Sequence, residues 1–130
     1  MVLVDTSVWI DFFSASSQAH VDTLEHLIRT RQDICICGIV LTEILQGIRE
    51  DSDFQRTQEL LSHLVFLPMD YSSFIRSAEI YRSLRRQGIT IRKPVDCMIA
   101  AVALDHDIPL LHNDRDFVAI EKHFGLKRFL

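Results

Sequence analysis

Asp5, Glu43, Asp96 and the neighbouring Asp114 and Asp116 are far apart in the chain, yet each stands where an apolar stretch meets a turn or a helix start. In an α/β chain the strand ends, and the helix starts that follow them, converge on one rim of the sheet, so these carboxylates can share a crevice. Carboxylates gathered in one crevice repel one another unless a divalent cation neutralises them. Hard oxygen ligands of this kind select Mg²⁺ or Mn²⁺ over softer metals. One or two such ions, about 3.5–4 Å apart where there are two, would suit hydrolysis of a phosphodiester by an activated water.

Taken one at a time, each acid has an adequate structural explanation. Asp5 ends an apolar run before a helix and can serve as its N-cap, as can Thr6 and Ser7 beside it. Glu43 is the only charged residue between Ile34 and Ile48, among the apolar Leu41, Ile44, Leu45 and Ile48. Such a carboxylate needs a cation, a hydrogen-bond donor or an exposed edge. Asp96 falls at the third helical position after Pro94, where the helix dipole favours a negative charge by about 0.3–1 kcal/mol. Asp114 and Asp116 lie between a strand and a helix, Asp116 being the better cap before Phe117. It is the combination that points to chemistry, since independent caps need not share one rim.

The elements that must position these acids alternate along the chain. The apolar Val2 to Val4 predicts a strand, and Asp5-Thr6-Ser7 a turn into a helix through Trp9 to Phe13. Ser17 to Arg31 carries Val21, Leu24, Leu27 and Ile28 at helical spacing, and Ile34 to Cys37 reads as a strand ended by Gly38. Helices are expected over Ile39 to Ile48 and about Asp53 to Leu64, then a strand over Val65 to Leu67 stopped by Pro68. Tyr71 to Gln87 predicts a longer helix with Phe74, Ala78 and Tyr81 on one side and Gly88 as its cap. Lys93-Pro94 opens an alanine-rich helix through Asp105. Pro109 to Leu111 reads as a strand, His112 to Asp116 as a loop, Phe117 to Phe124 as a short helix and Lys127 to Phe129 as an edge strand. The alternation predicts an α/β fold with a parallel sheet between helices, and 130 residues suit one domain, 1–130.

Apolar residues make up 48% of the chain and charged residues 25%, with no repeat or low-complexity tract. The apolar runs are too short to cross a bilayer, and the start MVLVDTSVW lacks the basic region and cleavage site of a signal peptide, so a cytoplasmic protein is expected. Cys35, Cys37 and Cys97 cannot pair completely, and no second Cys or His pair completes a zinc set, so they read as core thiols. The six histidines show no zinc-hydrolase spacing and read as surface or helix-end residues. A net charge of −4 argues against a nucleic-acid partner, but its distribution does not. Between Ile80 and Val95 the chain carries Arg82, Arg85, Arg86, Arg92 and Lys93 with no acid, a stretch suited to phosphate contacts or to a solvated helix end.

The segments VDTSVW, LTEILQG, PVDCMIAAVAL and LLHNDRDF, in this order and spacing, make the chain resemble the PIN-domain ribonucleases, and among them the VapC-type toxins of type II toxin–antitoxin pairs. The resemblance runs end to end. It implies a five-stranded, mainly parallel sheet with helices on both faces, and an Mg²⁺- or Mn²⁺-dependent endoribonuclease acting on structured RNA such as tRNA or rRNA loops. It also implies a homodimer neutralised by a VapB-type antitoxin. Carried over by motif, Asp5, Glu43, Asp96 and Asp114 form the acidic quartet, with Asp116 auxiliary and Thr6 and Ser7 supporting ligands or substrate. Arg85, Arg86, Arg92 and Lys93 are the expected RNA contacts.

On this resemblance Asp5, Asp96 and Asp114 are the expected direct ligands, and Glu43 binds a second ion or orients water. Relatives often carry Thr or Ser where this chain has His112, for which a structural role is expected. A flap-cutting DNA nuclease would need a further helical segment, and an aspartyl-phosphate phosphatase a second acid two residues after Asp5. A catalytically silent RNA- or antitoxin-binding module remains the alternative. Apolar helix faces between Ser17 and Leu64 are candidates for the dimer and antitoxin surfaces.

Overall fold

A computed structural model describes residues 1–130. The elements run β1 (Val2–Val4), α1 (Thr6–Phe13), α2 (Ala19–Arg29), β2 (Ile34–Cys37), α3 (Gly38–Gln46), α4 (Asp51–Leu61), β3 (Val65–Leu67), α5 (Tyr71–Arg86), α6 (Pro94–Asp105), β4 (Leu110–Leu111) and α7 (Asp116–Phe124). β1, β2 and β4 are apolar on both faces and buried along their whole length, as parallel strands covered on both sides require. The sheet order is β3-β2-β1-β4 and every pairing is parallel. From β1 the chain winds outward through β2 to β3, then returns to place β4 on the other side of β1. The winding therefore reverses between β1 and β4. In open α/β sheets the crevice at the carboxyl ends of such neighbours is where ligands bind.

Four strands are formed where five were expected. In place of a fifth there is one bridge, Leu110 to Arg128, in which Leu110 N–H donates to the Lys127 carbonyl at 2.9 Å and Phe129 N–H to the Leu110 carbonyl at 2.9 Å. The reason lies in β4. The carbonyls of Pro109 and Leu111 face β1, accepting from Leu3 N–H at 3.0 Å and Asp5 N–H at 2.9 Å, which leaves Leu110 alone to pair outward.

One core of 30 buried residues joins the sheet to its helices. Ile99 to Ala103 of α6 are inaccessible to solvent on every side, which the small alanine side chains permit by letting neighbouring backbones approach. Against α6 lies α5, and here the expected face was wrong. Ser73, Ser77, Ile80 and Leu84 are buried, while Phe74 is half exposed. A capping box between Asp70 and Ser73 fixes the first turn of α5, and Ser73 Oγ donates to Asp105 Oδ2 at 2.7 Å, turning the serine face inward. Gly88 and Gly125 end α5 and α7 with φ of 80° and 69°, left-handed values that favour glycine. All three cysteines are buried and unpaired, and burial pushes their thiols up, Cys97 to about 11, so they are inert packing groups. No helix is long and apolar enough to cross a membrane.

Candidate active site

Asp5 is the first residue past β1 and the N-cap of α1, and both roles constrain its carboxylate. Oδ2 accepts from Ser7 N–H at 3.0 Å and from Ser7 Oγ at 2.6 Å, while Oδ1 is buried with no partner. Ser7 Oγ also accepts from Asn113 N–H at 3.1 Å, so one hydroxyl ties the β1 acid to the loop after β4. Thr6 Oγ1 donates to Glu43 Oε1 at 2.7 Å, which is the donor that Glu43 requires among its apolar neighbours. Both hydroxyls are thus committed to carboxylates.

Asp96 projects from the first turn of α6, which Pro94 starts and Lys93 caps through its carbonyl. Its carboxylate is buried and Oδ2 has no hydrogen-bond partner. Asp116 was expected to cap α7, but it is instead that helix's first residue. Arg115 is the N-cap without a side-chain bond, and Asp114 before it takes the free N–H groups: its Oδ1 accepts from Asp116 N–H at 3.0 Å and its carbonyl from Phe117 N–H at 3.2 Å. Asp116 is thereby turned inward, with Oδ2 buried and unpartnered. Ligand-type oxygens of Asp96, Asp114 and Asp116 all lie within 4.8 Å of one another. Asp5 stands close enough to add to the repulsion on Asp96, whereas Glu43 is joined to this group only through the α1 start.

Burial pushes Asp96 up to about 7. Lys93 partly offsets the shift, and the charges of Asp5, Asp114 and Asp116 reinforce it. Burial likewise raises Asp5 against the hydrogen bonds from Ser7. In Asp114 burial also acts upward, but the Lys93 ammonium, the Asp116 N–H and Arg92 outweigh it and hold the group below the usual carboxylate range. Lys93 Nζ sits 2.8 Å from Asp114 Oδ2 and 3.8 Å from Asp96 Oδ2. Arg92 reaches Asp114 Oδ1 at 3.3 Å and, through Nε, Asp116 Oδ1 at 3.6 Å. Two of the basic residues expected to meet phosphate therefore lie on the acids themselves. The other two, Arg85 and Arg86, are exposed in the last turn of α5, where the Arg85 guanidinium lies 5.6 Å from the Tyr81 ring centroid.

His112 takes the structural role expected of it, unlike the surface or helix-end placement expected of the histidines as a group. It is buried, follows β4 directly, and packs against Phe117 with ring centroids 4.9 Å apart.

The comparisons with known proteins agree with this geometry. Residues 2–123 match the family model described as PIN domain. The chain belongs to the PIN-domain family. Ribonuclease VapC11 of Mycobacterium tuberculosis is 36% identical over 129 residues, covering 98% of this chain and 96% of its own. Among solved structures, VapBC2 from Rickettsia felis, bound to a DNA fragment of its promoter, superposes with a TM-score of 0.76 at 20% identity, over 98% of this chain and 97% of that one. A toxin–antitoxin complex from Klebsiella pneumoniae gives 0.73 at 24% identity, covering 92% of each chain. The chain thus shares its fold with these structures over almost its whole length.

Proposed function

We propose that this PIN chain is a divalent-cation-dependent endoribonuclease toxin, acting in the cytoplasm and neutralised by a VapB-type antitoxin. The observation that carries the reading is the convergence of buried carboxylate oxygens without partners, Asp5 Oδ1, Asp96 Oδ2 and Asp116 Oδ2, beside Asp114. Buried anions without donors are unfavourable, and an all-oxygen set fits Mg²⁺ or Mn²⁺. Asp96, Asp114 and Asp116 would hold the ion, with Asp5 completing the set and Glu43 oriented by Thr6 toward a second ion or a water. When bound, one or two such ions neutralise charge on the phosphate and lower the pKa of an attacking water. Arg92 and Lys93, 62% and 48% exposed in their side chains, can turn from the acids to the RNA backbone. Cleavage of this kind leaves a 5′-phosphate and a 3′-hydroxyl and does not use the RNA 2′-hydroxyl.

The purified protein is expected to cut structured RNA with Mn²⁺ or Mg²⁺ and not with EDTA, and Asp5→Asn to lower the rate at least about 100-fold. Cleavage surviving EDTA, or 2′,3′-cyclic phosphate ends, would sink the reading. Binding without cleavage would favour a silent module. In the same experiments Arg85→Ala with Arg86→Ala weakens RNA binding and reduces its salt slope by about one unit.

A groove of about 1160 Å³ between α1, α3 and α4 is lined by Ile10, Phe13, Ile44, Ile48 and Leu60 and reaches Glu43 at the acidic rim. An apolar antitoxin segment laid there would end beside the active site. The β3 edge and α5 expose Phe66, Tyr71, Phe74 and Ile75, a face suited to a second copy of the chain. Light scattering on the purified toxin–antitoxin complex reads both surfaces. Leu60→Asp is expected to shed the antitoxin, and Phe66→Asp with Phe74→Asp to halve the toxin assembly; unchanged masses would refute the assignments.

A further inference from the structure

The His112–Asp116 turn carries two of the acids, and side chains rather than regular structure hold its backbone N–H groups. Ser7 Oγ takes that of Asn113, Asp114 Oδ1 that of Asp116, and His112 Nδ1 that of Asp114 at 3.3 Å. Because a backbone N–H can only donate, His112 Nδ1 must be the unprotonated nitrogen. The other ring nitrogen, Nε2, lies 2.9 Å from Glu121 Oε2, a carboxylate that can only accept, so Nε2 carries the proton. The two contacts demand the same tautomer. Phe117 packs against the ring at a tilt of 44°, and the His112 side chain is 1% exposed. Glu121 has no other charged partner, and it stands on α7 about one and a half turns past Asp116.

We infer that His112 and Glu121 form a positioning pair for the cation site, with Glu121 locking the imidazole so that Nδ1 holds the Asp114 backbone and aims its carboxylate at Asp96 and Asp116. The inference rests on the reading of those acids as the cation site and adds two residues that touch neither ion nor substrate. An apolar side chain at 112 would fill the same volume but leave the Asp114 N–H without its acceptor. Without Glu121 the proton is free to move to Nδ1, where it would meet the Asp114 N–H donor to donor. Partners that orient ligands in this way are generally worth about 10–100-fold in metal affinity.

The test compares the wild-type chain with His112→Leu, Glu121→Leu and Glu121→Gln, each checked for folding by thermal melting. Long-range ¹H–¹⁵N spectra of the metal-free protein are expected to show His112 protonated on Nε2 alone, and a mixture of tautomers in Glu121→Leu. Calorimetric titration with Mn²⁺ is expected to show affinity about 10-fold weaker in His112→Leu and Glu121→Leu, and within about twofold of wild type in Glu121→Gln, which keeps an acceptor. A proton on Nδ1 in the wild type, or Mn²⁺ affinity in the folded Glu121→Leu within about twofold of wild type, would overturn the pair alone. Absence of Mn²⁺ binding by the wild type would overturn the cation site itself, and this inference with it.

Discussion

Asp96→Asn is expected to abolish RNA cleavage and, in the same protein, to raise the melting temperature of the metal-free chain. The two effects have one cause. Asp96 is buried among Asp5, Asp114 and Asp116, and its carboxyl is pushed up to about 7, so ionising it in the folded chain without a divalent ion is costly. A group whose pKa is higher folded than unfolded binds its proton more tightly in the folded state. Its contribution to stability is complete below the unfolded value of 3.8 and is lost as pH rises through about 7. The metal-free wild type should therefore lose stability between pH 4 and pH 8 through this group. Asn removes the charge and that slope, for a gain on the order of 2 kcal/mol at pH 8 after discounting for solvent screening at the mouth of the site. Mn²⁺ reverses the ranking, since it stabilises the wild type by binding ionised Asp96 and finds a poorer ligand in Asn. Thermal melts at pH 5 and pH 8, with Mn²⁺ and with EDTA, check all of this. An Asp96→Asn chain that melts below wild type in EDTA at pH 8 would refute the account of its environment.

The rim was legible in the sequence because it depends on local punctuation. Asp5 follows a buried strand and Asp96 sits just inside a proline-started helix, and those patterns alone mark a strand end and a helix start. Features set by tertiary pairing were not legible. Asp116 reads as a cap, but Asp114 takes the N–H groups of both Asp116 and Phe117, so the helix starts one residue earlier and Asp116 turns inward. His112 reads as structural, but nothing nearby announces Glu121 nine positions on as its partner. The α5 face was misjudged for a related reason. Aromatic side chains suggest a core stripe, yet Ser73 is drawn in by Asp105 of another helix, 32 positions away. Arg92 and Lys93 read as phosphate contacts, and the local charge pattern could not reveal that acids from α6 and the β4 loop would meet them first.

That meeting predicts that Lys93→Met tightens Mn²⁺ binding while slowing RNA cleavage. The Lys93 ammonium, 2.8 Å from Asp114 Oδ2 and 3.8 Å from Asp96 Oδ2, neutralises in the metal-free chain the carboxylates a divalent ion needs. Binding must either displace it or bear its repulsion, which at a half-exposed site costs on the order of 1 kcal/mol, or roughly fivefold in affinity. Methionine keeps the unbranched stem and removes the charge. Lys93 caps α6 through its backbone only, so the helix is not disturbed by the change. Cleavage should nevertheless fall, by about 10-fold or more, because the displaced ammonium is then the nearest free cation to the phosphate where charge develops. A residue serving only as counter-ion to the acids would tighten metal binding without slowing turnover, and one serving only RNA would slow turnover and leave Mn²⁺ affinity unchanged. Calorimetric Mn²⁺ titration beside cleavage rates at saturating metal separates the three cases. Weaker Mn²⁺ binding in Lys93→Met would contradict the competition outright, since removing a positive charge from beside a cation site can weaken it only if the lysine was holding the carboxylates in place.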